Sequence, residues 1–102
     1  MTDCIRKKIE FVKELNAAIT KVQPNVVAIR YRVLAHRPTE WYEEYLEIEY
    51  SSGARTLRHC SGDSCSAILT EISRYLNSGY YGEIAYFESL FASGEYIEET
   101  ID

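Results

Sequence analysis

The segment that decides the fold is Pro38–Tyr50, PTEWYEEYLEIEY, thirteen residues with five glutamates and four aromatics. Its two possible periodicities give different surfaces. Read as a strand, Tyr42, Leu46, Ile48 and Tyr50 face one way, and Trp41, Glu43, Tyr45, Glu47 and Glu49 face the other. Only Glu44 falls on the wrong side. A helix would spread Trp41, Tyr45, Leu46, Ile48 and Tyr50 over most of its circumference, so residues 43–50 read as a strand. Residues 38–42 fit either a loop or a helical turn.

The flanking segments extend this pattern. Before it, Val27, Ile29, Tyr31 and Val33 alternate with Ala28, Arg30, Arg32 and Leu34, the period of a half-buried strand, and Arg37-Pro38-Thr39 makes the turn. After it, Ser51-Ser52-Gly53 reads as a hairpin turn into a short strand, Ala54–Cys60, with Leu57 inward. Ahead of the strands, Ile5, Ile9, Val12, Leu15, Ile19 and Val22 recur at steps of three and four. They predict a helix that Thr2 or Asp3 caps and Pro24 ends. Behind the strands, Ser61-Gly62-Asp63-Ser64 precedes a helix through Cys65, Leu69, Ile72 and Leu76, with Ile68 and Tyr75 beside them, that stops at Asn77-Ser78-Gly79. A third helix runs from about Glu83 to Gly94 on Ile84, Phe87, Leu90 and Phe91. Glu95–Asp102 reads as an acidic tail. The expected fold class is α+β in a single domain, 1–102. Its three-stranded antiparallel meander carries one N-terminal and two C-terminal helices, in the order α-β-β-β-α-α, packed on one face of the sheet.

At 102 residues the chain can bury a core without disulfides or metal. Three cysteines, Cys4, Cys60 and Cys65, are an odd number and read as free thiols. The longest aliphatic run, Val26–Ile29, is far shorter than the roughly 20 residues of a membrane span. Glu10, Lys13 and Glu14 interrupt the place where a signal peptide would be apolar, which makes a cytoplasmic, membrane-free protein the expectation. The net charge of −5 is unevenly distributed. Residues 1–39 hold eight Lys or Arg against three acids, and residues 40–102 hold three Arg against thirteen acids. An acidic surface of that kind repels phosphate, so direct nucleic-acid binding is not expected, and basic proteins are.

The segment richest in reactive side chains is HCSGDSC, residues 59–65. A thiol at a helix N-terminus can act as a nucleophile, with His36 or His59 as base, but Cys65 also lies on its helix's apolar stripe. Gly62-Asp63-Ser64 resembles the nucleophile motif of an esterase family, but the histidine that family needs downstream is absent after His59. For a metal, His59 and Cys60 are adjacent on a strand and point to opposite faces, and their spacing to Cys65 is not that of a zinc knuckle. No catalytic residue, metal or cofactor is therefore expected. Arg30, Arg32, Glu47, Glu49 and Arg58 alternate in sign across the strands as an outward ion-pair ladder.

Nine tyrosines are more than a core of this size can hold with every hydroxyl satisfied. The expected partner-binding surface combines Glu40, Trp41, Tyr42, Glu43, Glu44, Tyr45 and Glu47 with Tyr80, Tyr81, Glu95, Tyr96, Glu98 and Glu99. Its carboxylates steer a basic partner and its aromatics anchor it. In element order, size and placement of carboxylates and tyrosines, the chain resembles small anti-CRISPR proteins of phages. Its basic first helix departs from their pattern. The resemblance implies a nucleic-acid mimic that occupies the basic DNA-reading cleft of a nuclease. The alternative reading is a homodimeric interaction protein joined through a tyrosine-rich edge.

Overall fold

A computed structural model describes residues 2–76 and 84–99. It is α+β. The elements run α1 (Thr2–Val22), β1 (Val26–His36), β2 (Tyr42–Tyr50), β3 (Arg55–His59), α2 (Cys65–Tyr75), α3 (Ile84–Ala92) and β4 (Tyr96–Glu99). Among the described residues the antiparallel sheet has four strands in the order β3-β2-β1-β4, one more than the sequence led us to expect. The added strand comes from the segment read as a tail: Glu99, Glu98, Ile97 and Tyr96 pair with Val33, Leu34, Ala35 and His36. A four-residue strand has no periodicity long enough to recognise, and its pairing partner lies sixty or more residues earlier.

Helices cover both faces of the sheet, not one. On the first face, Val12 of α1 and Ile68 and Ile72 of α2 pack with Ile29, Leu46, Ile48 and Tyr50. The register Ile29↔Ile48 and Tyr31↔Leu46 brings these side chains onto the same side. On the second face, Phe87 and Leu90 of α3 cover Leu34, Tyr45 and Leu57. The result is a helix–sheet–helix sandwich with two apolar cores, and Leu57, inward as expected, belongs to the second.

Two local corrections follow from strand geometry. A register shift between Val26 and Ala28 makes a β-bulge, so Val26 enters the core and Val27 stands 51% exposed. In β3, Arg58 opposes Leu46 on the first face, where it lies 3.5 Å from Glu71 of α2. Arg55, opposite Glu49, takes the place in the charged ladder that the sequence suggested for Arg58.

Helix ends follow local chemistry. Asp3 lies inside the first turn of α1 and pairs with Arg6 at 2.9 Å rather than capping. The N-cap of α2 is Ser64, whose hydroxyl accepts from the Ala67 amide at 3.2 Å, so neither Ser61 nor Asp63 caps it. The expected stop at Asn77-Ser78-Gly79 lies outside the described residues. Among the long-range polar ties, Asn16 of α1 accepts the Ile29 amide at 2.7 Å, on the edge of β1 that β4 leaves uncovered. Asn25 donates to the last-turn carbonyl of Leu76 at 3.0 Å, and the Tyr50 hydroxyl donates to the carbonyl of Tyr75. These bonds fix α2 against the sheet.

Candidate functional site

The β1–β2 connection carries the first part of the site. His36 donates its amide to the Trp41 carbonyl, and Glu40 donates to the His36 carbonyl, both at 2.8 Å, closing a tight loop. Closure places Glu40 at φ 60°, the left-handed region, which costs a residue with a side chain about 1–2 kcal/mol. The loop leaves Trp41 67% exposed at the end of the sheet.

Strand β4 brings the second part to the same place. Its pairing with the last four residues of β1, together with the Arg37 amide donating to the Glu95 carbonyl at 2.8 Å, sets Glu95, Tyr96, Glu98 and Glu99 beside the Glu40–Glu43 turn. Burial first, and then Glu43, Tyr86 and Glu95, push the Tyr96 hydroxyl above its ordinary range. Its ring packs on His36 with centroids 4.6 Å apart. Some of these carboxylates are already engaged. Glu43 pairs with His59, Glu95 lies 3.4 Å from His36, and Glu98 clamps Arg32 through two 2.7 Å bonds. Glu40 and Glu99 have no ion pair among the described residues. Glu40, Trp41, Tyr42, Glu43, Glu95, Tyr96, Glu98 and Glu99 therefore share one end of the molecule.

The structure removes three residues from that surface. Tyr45 is fully buried in the second core, edge-on to Phe87 at 5.0 Å, because α3 covers a face expected to be open. Glu47, 3% exposed, lies among three guanidiniums: Arg55 at 3.0 Å, Arg30 at 3.3 Å and Arg32 at 3.5 Å. The ladder is therefore a network of partly exposed arginines around a buried Glu47, and it is tied to α3 by Arg32 stacked 4.6 Å over the Phe87 ring and by Arg55 at 3.2 Å from Glu88. Hydrogen bonding raises the Arg30 guanidinium, chiefly through Glu49, and the Arg32 guanidinium, chiefly through Glu98. Glu44 is the third. It faces α1 and meets Lys8 at 2.6 Å and the Tyr31 hydroxyl at 2.5 Å. Tyr80 and Tyr81 lie outside the described residues.

The Lys8–Glu44 pair forms the floor of a groove that the sequence reading did not find. It has a volume of about 740 Å³ and lies between the first turns of α1, the Trp41–Tyr42 segment and the loop leading into α2. Lys8 was detectable in principle, because it falls between Ile5 and Val12 on the buried stripe of α1, where a lysine needs a buried anion. Glu44, the single residue out of phase in β2, is that anion. Beneath the pair, burial pushes the Cys60 thiol up to about 12, and burial, with Cys60 and Glu44 nearby, raises the Tyr31 hydroxyl well above its usual value. Both groups stay protonated at neutral pH. Cys65 stands at the start of α2 on the groove wall. His36 and His59 are engaged by Glu95 and Glu43 on the α3 side of the sheet. Among the described residues, no three His, Cys, Asp or Glu side chains cluster as metal ligands, and no helix is long and apolar enough to cross a membrane.

Comparison with protein-family models, curated proteins and solved structures gives no match.

Proposed function

We propose that this protein is a cytoplasmic, non-enzymatic protein-binding module that docks its acidic, aromatic end onto a basic surface, of the kind that nucleic-acid-binding proteins and nucleases present. One observation carries the reading. The edge pairing of β4 with β1 joins two acidic segments, far apart in sequence, into one end of the sheet with Trp41, Tyr42 and Tyr96 among the carboxylates. Carboxylates spaced along a sheet end imitate the charge of a phosphate backbone, and the aromatics supply contact area at low entropic cost. Glu44 and Glu47 serve the interior, so the docking charge rests on Glu40, Glu43, Glu95, Glu98 and Glu99.

The test is affinity capture from a bacterial lysate with a salt-gradient elution, comparing wild type with a Glu40→Gln/Glu95→Gln/Glu99→Gln variant. None of the three is in an interior pair, so the variant should keep its fold. Capture of a nucleic-acid-binding protein by wild type alone, released as salt rises, supports the reading. Capture that is indifferent to salt and to the substitutions, or a protein that migrates as a stable homodimer and captures nothing, overturns it.

A further inference from the structure

The groove beside Trp41 has features that docking on a basic protein does not use. Its floor consists of two charged side chains, Lys8 and Glu44, whose exposures are only 9% and 8%. Lys8 and Tyr31 both donate to the same carboxylate oxygen, Oε1. Among the described residues the other oxygen, Oε2, has no donor. An ammonium carries three N–H groups, and Lys8 spends one on Glu44. Donors and an acceptor therefore stand side by side at the bottom of the cavity.

The rim repeats the balance, with Lys7 and Asp63 among its lining residues. A free anion is attracted by one member of each pair and repelled by the other, and the same holds for a free cation. A neutral ligand with an N–H next to a C=O is repelled by neither. Aromatic area lies above the floor, since Tyr42 and Trp41 line the same space, and Trp41 is held by a loop that spends backbone strain at Glu40 to close. A volume near 740 Å³ is in the range of small-molecule sites.

We infer that this groove is a binding site for a small, neutral, planar ring bearing an amide-type donor–acceptor edge, as in a lactam or pyrimidine base. The edge meets Lys8 and Glu44, and the ring faces Trp41 and Tyr42. The site is separate from the carboxylates used in docking and needs no protein partner, so either reading can fail alone.

Trp41 is the only tryptophan and reports on the groove directly. The experiment titrates its fluorescence with uracil, with 1,3-dimethyluracil, which keeps the ring and loses the N–H edge, and with benzoate and benzamidine as charged rings. Uracil should quench saturably, with an affinity that does not change between low and high salt. The other three should bind at least about tenfold more weakly, since each loses a hydrogen bond to a buried charge or brings an uncompensated one. Cys4 is exposed on the groove wall, so Cys4→Tyr fills the space without touching either core. That variant should keep the wild-type melting temperature and lose uracil binding. No saturation with uracil, dimethyluracil or a charged ring binding as well as uracil, or unchanged binding in Cys4→Tyr would each overturn the inference.

Discussion

Replacing Lys8 by methionine isolates the ion pair at the groove floor. Methionine keeps the length and apolar stem of lysine but leaves the buried Glu44 carboxylate without its cation. Removing one partner of a buried pair typically costs 3–5 kcal/mol, because the remaining charge is neither hydrated nor neutralised. Glu44 keeps the Tyr31 hydroxyl, which places the expected loss near the lower bound, about 3 kcal/mol. For a chain of this size with a urea slope of roughly 1 kcal/mol/M, the unfolding midpoint should fall by about 3 M. The double variant Lys8→Met/Glu44→Gln exchanges the stranded charge for a neutral amide of the same shape and should recover at least half of the loss. Equilibrium urea unfolding followed by far-UV circular dichroism measures both. A loss below about 1 kcal/mol in the single variant, or no recovery in the double, would show that Glu44 is solvated and that the groove floor is not a buried, charge-balanced surface.

Alkaline stability provides a second check. The Cys60 thiol holds its proton up to about 12, whereas the unfolded chain releases it near 9, so the thiol stabilises the fold below pH 9 and that contribution is lost as pH rises from 9 to 12. Cys60→Ala should flatten the fall in stability over that window by up to about 1.4 kcal/mol per pH unit, read from urea midpoints at stepped pH. Phe87→Ala should cost about 3–5 kcal/mol by thermal or urea unfolding although α3 is short, because the ring fills the second core and supports Arg32. Glu40→Gly should be neutral or stabilising by about 0.5 kcal/mol, relief of left-handed strain being offset by the greater freedom of glycine when unfolded, whereas Glu40→Val should destabilise. The same unfolding curves give both values.

What the sequence disclosed depended on whether a residue's environment was local. The α1 stripe and the β2 alternation are properties of neighbours three, four or two positions apart, and they were legible. Val26 and Val27 are equally apolar, so nothing in the order of residues says which one the bulge turns outward. In the sequence Leu34 and Tyr45 stand among charged neighbours, and only Leu57 reads as inward. They form a core only because α3 returns across the second face, a contact set by the tertiary path of the chain. Glu47 looked like a solvated ladder residue because its three arginines come from two different strands. The exposure of Glu40 and Trp41 was legible because residues before a strand answer mainly to solvent. The groove was not, since it needs a lysine of α1, a glutamate of β2 and the loop before α2 to meet. Its two out-of-place charges were each visible separately, and only the fold makes them a pair.

Among the described residues strand β4 ends the sheet, and an edge strand offers its unpaired amides and carbonyls to any extended chain that approaches. Here that edge carries Glu95, Glu98 and Glu99, so a second copy arriving strand to strand would set carboxylate against carboxylate. These carboxylates thus act as a gatekeeper against self-templated growth of the sheet. Neutralising them should make the protein more prone to aggregate as its concentration rises.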